Sequence, residues 1–585
     1  MILKALYDYY ERSKDKLPPA HLAWVDFEFA IVLDCNGRFV RFEHLGDGNG
    51  LALRTIRPEE RTSAPIAHCM GDNGSYVLGL KDVKPNKPTD FTLELKKNAK
   101  NHTAFKKNVE ELYSVLPQNH YVKAVNSFYQ DYGVALIEEM TQDPEWPELC
   151  KVLNKNITFL IEGDFKRAVE DEEIIKYCIE RIEHSKKEAI CLITGEKGFP
   201  VSTTYSTFVA GGKSNAKLVA FQISSGYDSY GKQKGFNAPI SEEAEFKYTT
   251  VLLSMLSKGS RNKFLIGTRT FLFWASKNDE AGQEAENSIF NLLGFSEQED
   301  DPNRHIEQVR KVFSAIYSGE IKTTSEDTFY ILGLAPNAAR IAVIFWAEIP
   351  LKEFAGTICK HFEDMEVVDT RLDKKPYMSL RNILSAVTLG GKVSDATPNL
   401  PDAIVKSIFQ GLPYPQTLFA SCIRRIRAES GEKDKNAVHI TRAAIIKAYL
   451  NRLNDNQQPI QVMLDKDNTN QGYLCGRLFA VLDKIQEEAN NQHSIRERYM
   501  NSASSTPAAV FSTILNLSNH HVENLKTEGR KVYFEKLKQE IVSKIDADGF
   551  RPQLDLQDQG RFFIGYYHQR QDFFTKSEGN NDEQY

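Results

Sequence analysis

The sequence predicts an α+β protein, in which a mixed N-terminal region of antiparallel strands and helices is followed by an all-α C-terminal helical bundle. Alternating apolar runs at 27–33 and 38–42 flank Asp34-Cys35-Asn36-Gly37, a hairpin signal because Asn-Gly tolerates positive φ. Further strand-like runs at 263–274, 328–334 and 341–346 alternate with helical stretches. From about Pro376 onward apolar residues recur at helical spacing, as Leu474, Leu478, Val481, Leu482 and Ile485 do on one face. The 585 residues suffice for several domains with cores of their own. They are expected to divide into an α+β domain over 1–370, a helical connecting region over 371–458 and a helical bundle over 459–585.

In chain order, residues 1–12 are expected to be helical, since Leu3, Leu6, Tyr7 and Tyr10 recur at three- and four-residue steps before Pro18-Pro19. Residues 69–79 read as a polar, glycine-rich loop leading into a strand, where Asn73 and Ser75 either face a ligand or serve an ordinary turn. Helices are expected over 105–116 and 121–132, and short strands over 158–161 and 189–193. Ser241-Glu242-Glu243-Ala244 starts a helix that runs through Leu256, with serine as cap and acids complementing the dipole. A strand over 263–274 follows, then an acidic, exposed helix and linker over 279–301. Helices at 418–427 and 440–453 carry Arg424, Arg425, Arg427, Arg442, Lys447 and Arg452, either as a solvated face or as a phosphate track. Apolar stripes through 510–517, 532–545 and 560–571 complete a bundle of antiparallel neighbours.

Composition sets the chemistry. The chain has formal net charge -6, yet 197–277 carries eleven Lys or Arg against four Asp or Glu. Within it, Val201 to Asn237 strings Ser, Thr, Gly, Asn and Gln between aromatics such as Tyr205, Phe208, Tyr227, Tyr230 and Phe236. Glycines let backbone N–H groups approach a ligand, amides and hydroxyls can read base edges or phosphates, and lysines supply attraction blind to sequence. The stretch therefore suits a polyanion, and equally suits solvated surface loops. Gly211-Gly212-Lys213-Ser214 lacks the earlier glycine of a phosphate-binding loop, which argues against a nucleotide-hydrolysing site.

Eight cysteines without a close pair argue against a zinc ribbon and a disulfide framework, and the thirteen histidines show no metal spacing. No run reaches the ~20 apolar residues of a membrane span, and Met1 to Tyr10 lacks a signal peptide's apolar run, so a cytoplasmic protein is expected.

Several separated blocks resemble the large subunit of the type I-C CRISPR interference complex, the Csd-type family of Cascade large subunits. They are Met1-Ile2-Leu3-Lys4-Ala5-Leu6-Tyr7-Asp8-Tyr9-Tyr10; Tyr230-Gly231-Lys232-Gln233-Lys234-Gly235-Phe236-Asn237-Ala238-Pro239-Ile240-Ser241-Glu242-Glu243; Tyr330 through Arg340; Arg442 through Leu450; Asn468-Thr469-Asn470 with Gly476 through Leu482; and Gly565 through Gln571. The resemblance spans essentially the whole chain. It implies a non-catalytic subunit of an RNA-guided complex, in which guide RNA reads the target by pairing. The large subunit inspects a short protospacer-adjacent motif, helps open the duplex and stabilises the displaced strand; related logic holds in another effector class. It also implies docking near the guide's 5′ end, on the subunit that holds it, with the bundle along the backbone subunits, and recruitment of a separate helicase-nuclease for antiviral defence. No cofactor is implied.

The residues for these tasks follow from the basic stretch and not from residues of the family. Lys213, Lys232 and Lys234 are expected to hold phosphates; Asn215, Gln233 and Asn237 to read base edges; and Phe236 or Tyr230 to wedge at the first opened pair. Arg442, Lys447, Arg477, Lys484, Arg496 and Arg498 are expected to track the displaced strand. The bundle is a weak binder by itself, with fifteen Lys or Arg against eighteen Asp or Glu from Met463 to Tyr585. The resemblance further implies a small helical subunit made by internal translation. Only Met463 and Met500 lie beyond Met378, and Met463 precedes the first bundle stripe, after a polar linker at 454–458. Two rivals remain. A metal-dependent nuclease would use carboxylates such as Asp164, Asp369 or Asp572, but no acidic pair is spaced with a lysine or histidine for a two-metal site. A free-standing RNA-binding protein would bind RNA without guide or partner subunits.

Overall fold

Two sheets, each with its own helices, organise the chain in a computed structural model. It describes residues 2–46, 50–61, 64–85, 87–182, 187–223, 228, 230–293, 302–372, 377–432, 435–453, 458–490 and 494–575. Two compact units result, one of residues 1–257 with 336–341, the other of 258–335 with 342–585. The fold is α+β, with strands and helices first and a helical C-terminal region.

In the first unit the Ile2–Ser13 helix precedes a five-stranded sheet of β1 (Leu22–Leu33), β2 (Phe39–His44), β3 (Leu51–Ile56), β4 (Gly71–Asn73) and β5 (Asn156–Ile161). The first half of β1 is antiparallel to β3, with Val25 opposite Leu53. Its second half is antiparallel to β2, with Val32 opposite Arg41, and parallel to β5. Phe29 to Leu33 are buried, which is why this half reads as an unbroken apolar run. The β1–β2 turn has the chemistry its sequence predicts. Asp34 accepts the backbone N–H groups of Asn36 and Arg38 at 2.8 and 2.9 Å, and Gly37 takes φ +87°. Phe105 and Val109 of the Ala99–Val115 helix and Val125 and Phe128 of the His120–Gln130 helix join the sheet's core.

The 69–79 segment departs from expectation. After β4 it enters a helical turn, Gly74–Val77, and not a strand. Asn73 caps that turn, its Oδ1 accepting from the Ser75 backbone N–H and hydroxyl, so both side chains are spent on local structure.

A short ribbon of β6 (Ala189–Ile190) and β7 (Lys197–Gly198) also belongs to the first unit. The second unit holds a sheet of β8 (Lys263–Ile266), β9 (Arg269–Ala275), β10 (Thr328–Asn337) and β11 (Arg340–Pro350), in the order β11-β10-β9-β8. The single strand expected over 263–274 is thus two, folded back at Gly267-Thr268, where Gly267 adopts φ +59°. A two-residue turn preserves the period-two pattern, so alternation alone does not reveal it. The acidic helix Glu280–Leu293 is not a solvated one either. It buries Ala281, Ala285, Ile289 and Leu292 against the core, while 294–301 of the expected linker lie outside the described residues.

After Pro350 no strand follows among the described residues. The bundle centres on the Gln471–Asn490 helix, buried on every side from Gln471 to Asp483. It packs against Ser494–Ser505, Pro507–Glu523, Glu528–Val542 and Leu556–Asp572. Gly472 and Gly476 bring it against Leu556–Asp572 so closely that a Cβ on either would lie 2.4 Å or less from a carbonyl oxygen. The polar linker expected at 454–458 lies, apart from Gln458, outside the described residues, as does Pro376. No described helix is long and apolar enough to cross a membrane.

Candidate nucleic-acid interface

The polar loops after β7 are held from beneath by residues just beyond β3. The Arg57 guanidinium lies 3.9 Å from the centre of the Tyr205 ring and donates to Glu245 at 3.2 Å and to the Thr249 hydroxyl at 2.8 Å. Glu245 also accepts the Tyr205 backbone N–H at 2.7 Å. Burial raises the pKa of Glu245, and the Arg57 charge and the Tyr205 N–H oppose it. Glu60 accepts from the Ser206 backbone N–H and from Lys217 Nζ, which donates also to the Thr204 carbonyl. Thr204, Thr207, Val209 and Ala216 are buried, so this segment is anchored at both ends of its exposed tip. Tyr205, laid against Arg57, is part of that anchor and is not a stacking surface.

A second loop, 228–237, is strapped to residues 200–202. The Gly235 N–H donates to the Ser202 carbonyl at 3.0 Å, and a Cβ on Gly235 would lie 2.2 Å from the Val201 carbonyl oxygen, so only glycine fits. Tyr230 and Lys234 take left-handed φ of +52° and +50°, which turn the chain twice within five residues. Asp228 accepts the Lys234 backbone N–H at 3.1 Å, and the Asn237 amide donates to the Lys232 carbonyl at 2.8 Å. Asn237 therefore braces the loop from inside, which corrects its expected place among outward-reading amides. Tyr230 is fully exposed, and Lys232, Gln233 and Phe236 are exposed beside it, while Lys234 is half-buried. Residues 224–227 and 229 lie outside the described residues.

The third piece is the 211–215 loop, which exposes Lys213 and Asn215. No helix begins directly after Ser214, so the fold supplies no phosphate-binding loop there. Gly212 approaches Pro336 in the β10–β11 tip, the part of that hairpin belonging to the first unit. In the same tip Arg340 is exposed and donates to Gln222 Oε1 at 2.7 Å, and the Ile341 N–H donates to the Lys217 carbonyl. Arg340 and Gln222 carry no sequence signal of a role, because what marks them is a pairing across 118 residues.

The positive excess of 197–277 is not one surface. Lys258 to Lys277 belong to the second unit, where Arg269 pairs with Asp402 and Lys277 with Asp327. In the first unit Lys217 pairs with Glu60, and Lys247 with Glu11 and Glu243. The exposed cations of the loops are Lys197, Lys213 and Lys232, joined by Arg340.

Three of the cations expected along the displaced strand are interior residues, and their assignment is corrected. Arg442 donates to Glu429 at 2.6 Å and to the carbonyls of Ala386 and Ala437. Lys447 donates to the carbonyls of Glu363 and Asp364. Arg477, fully buried, donates to Gln569 Oε1 and Glu540. Burial would raise the Glu429 pKa, but hydrogen bonds from Arg442 and Arg425 outweigh it and hold the carboxyl at about 2. These charges join helices, and a buried cation so paired cannot reach a phosphate. Lys484 is half-buried beside Glu487 and Glu488, Arg496 is half-buried, and Arg498 is exposed. Asp164, Asp369 and Asp572 are engaged with His120, Arg371 and Gln569 respectively. Among the described residues no three His, Cys, Asp or Glu are grouped to hold a metal ion.

Against known families, the model described as CRISPR-associated protein (Cas_Csd1) matches residues 6–574. No curated protein sequence matches the chain.

Proposed function

This chain belongs to the Cas_Csd1 family of CRISPR-associated proteins, and from that premise we propose that it is the non-catalytic large subunit of a type I-C RNA-guided DNA surveillance complex. The observation that supports this reading is the braced 228–237 loop, which spends its backbone and Asn237 on its own shape and leaves Tyr230, Lys232, Gln233 and Phe236 exposed. Hydrogen bonds that already fix a loop's shape reduce the entropy lost on meeting a duplex, which favours discrimination by its side chains. Lys213 and Lys232 are suited to phosphates, Asn215 and Gln233 to base edges, and Tyr230 or Phe236 to the first opened base step.

In this reading guide RNA supplies target sequence by pairing. The chain inspects the adjacent motif, helps to open the duplex and docks beside the subunit holding the guide's 5′ end. Backbone subunits and a small helical subunit extend along the displaced strand, and a helicase-nuclease is recruited afterwards. Purification of the tagged chain with and without guide RNA tests it. Recovery of partner subunits and guide, with binding of motif-bearing duplex by that assembly, supports the reading. A solitary chain that binds RNA equally well without them, or that cuts DNA with Mg2+ alone, overturns it.

A further inference from the structure

Folding brings together two thiols that stand 109 residues apart in sequence. Cys69 precedes β4 and Cys178 lies on the Glu172–Glu180 helix, and their sulfur atoms are 3.2 Å apart in a thiol–thiol hydrogen bond. Both residues are half-buried. The two elements that carry them are fixed independently. The Met70 carbonyl accepts from the Thr158 hydroxyl, and the neighbouring Asp72 carboxylate is buried and paired with Arg61. The helix is capped by Asp171, which accepts the Ile174 N–H, and is seated through buried Ile174 and Ile175. Among the described residues neither sulfur takes part in the proposed duplex surface. By contrast, Cys35 is exposed, and Cys150, Cys191, Cys422 and Cys475 are buried.

We propose that Cys69 and Cys178 form an oxidant-responsive dithiol, which a peroxide converts into an intrachain disulfide. Cys178 gives up its proton, and its thiolate attacks one peroxide oxygen. The O–O bond breaks, leaving a sulfenic acid on Cys178 and a hydroxide that takes the proton to become water. Cys69 then attacks the Cys178 sulfur. The S–O bond breaks, the S–S bond forms, and the departing hydroxyl leaves as a second water with the Cys69 proton. Two thiols thus supply the two electrons that reduce one peroxide to two waters.

The surroundings assign the order of attack. The hydrogen bond shared with Cys69 lowers the Cys178 pKa, burial opposes this, and the nearby Arg181 charge acts with the hydrogen bond. Cys69 is shifted the other way, first by the same hydrogen bond and then by burial. The thiolate is the reactive form, so Cys178 attacks first and Cys69 resolves.

The test uses the full chain, reduced and then desalted, exposed to hydrogen peroxide and digested without reductant. The expected result is a peptide pair linking Cys69 to Cys178, loss of two hydrogens from the intact mass, and reversal by dithiothreitol. Cys69→Ser should remove the linked pair while leaving Cys178 to trap as sulfenic acid with dimedone. Cys178→Ser should remove the linkage and leave no fast-trapping sulfenic acid at Cys69. Over-oxidation of Cys178 in the parent chain without any 69–178 linkage, or no reaction at either thiol faster than at exposed Cys35, overturns the proposal. The parent chain alone decides the linkage, so a serine variant that fails to fold does not shield it.

Discussion

A methyl group on Gly476 would lie 1.9 Å from the carbonyl oxygen of Phe562 on the facing helix. Gly565 meets the Tyr473 carbonyl in the same way, at 2.4 Å. The two helices therefore touch backbone to backbone, and the contact is made by backbone atoms that cannot rotate away. Alanine in a helix interior ordinarily gains roughly 1 kcal/mol over glycine. Gly476→Ala should reverse that sign and destabilise the second unit by about 1–3 kcal/mol or more, because the helices must move apart. Gly529, in the Glu528–Val542 helix with nothing near its absent Cβ, is the internal control, where alanine should be neutral or stabilising. Urea unfolding of both variants checks this, and equal effects would refute the close crossing.

Lys232 and Gln233 are adjacent, exposed and chemically distinct. Lys232→Ala in the assembled complex should weaken motif-bearing and scrambled duplexes alike and reduce the salt slope by about one unit. Gln233→Ala should instead narrow the difference between the two duplexes, a good base contact being worth roughly 1–3 kcal/mol. Titrations at several salt concentrations separate the two outcomes. Unchanged binding in both variants would place motif reading elsewhere.

Tyr230 stands fully exposed at a left-handed backbone position, and Phe236 lies in the same loop. A wedge acts on the unstacked base step and not on the initial charge attraction. Tyr230→Ala, or Phe236→Ala, should therefore leave initial duplex binding nearly intact and slow strand separation, read as permanganate reactivity of thymines beside the motif. Parent-like reactivity in the double variant would exclude both rings as the wedge.

His361 and His568 are buried and neutral. His361 Nε2–H donates to the Met378 carbonyl and its Nδ1 accepts from Tyr414, while His568 Nδ1 meets the Tyr473 hydroxyl. Burial lowers their pKa values to about 4 and about 3, with the Arg452 and Lys447 charges acting in the same direction. In the unfolded chain both titrate near 6.5, so below that pH the unfolded state binds protons the folded state refuses. Stability should be full above about pH 6.5 and fall on acidification, by about 1.4 kcal/mol per pH unit for each histidine. The loss is complete at about 4 for His361 and about 3 for His568. Urea midpoints between about pH 7.5 and about pH 5 test this above the carboxylate range. His361→Gln should flatten the slope, and a flat parent profile would contradict neutral burial.

Met463 is 63% exposed in the segment before the Gln471–Asn490 helix, and is not a core methionine. The helices that surround Gln471–Asn490 most closely all follow it in sequence. Met463→Leu should remove a small C-terminal product from the purified complex, and residues 463–585 supplied from a second gene should restore it. Intact mass of the parent complex decides the matter, since absence of such a product there would end the idea.

Much of this protein is legible in short windows of its sequence. Asp34 to Gly37 specify a hairpin because the turn's own atoms satisfy it, and Ser241 specifies a helix start because the donor its hydroxyl accepts from, the Ala244 N–H, is three residues away. The bundle stripes and the exposed residues of the 230–236 loop are legible for the same reason, since period and composition are properties of chain neighbours. What tertiary structure alone decided is where each charge and thiol finds its partner. Arg442, Lys447 and Arg477 have the helix-flanking pattern of solvated cations, and only packing buries them against Glu429, main-chain carbonyls and Gln569. Glu60 anchors Lys217 across 157 residues, and Cys69 meets Cys178 across 109. Local propensity acts over a few bonds, whereas Coulomb attraction and desolvation depend on distances that exist only once the chain has folded.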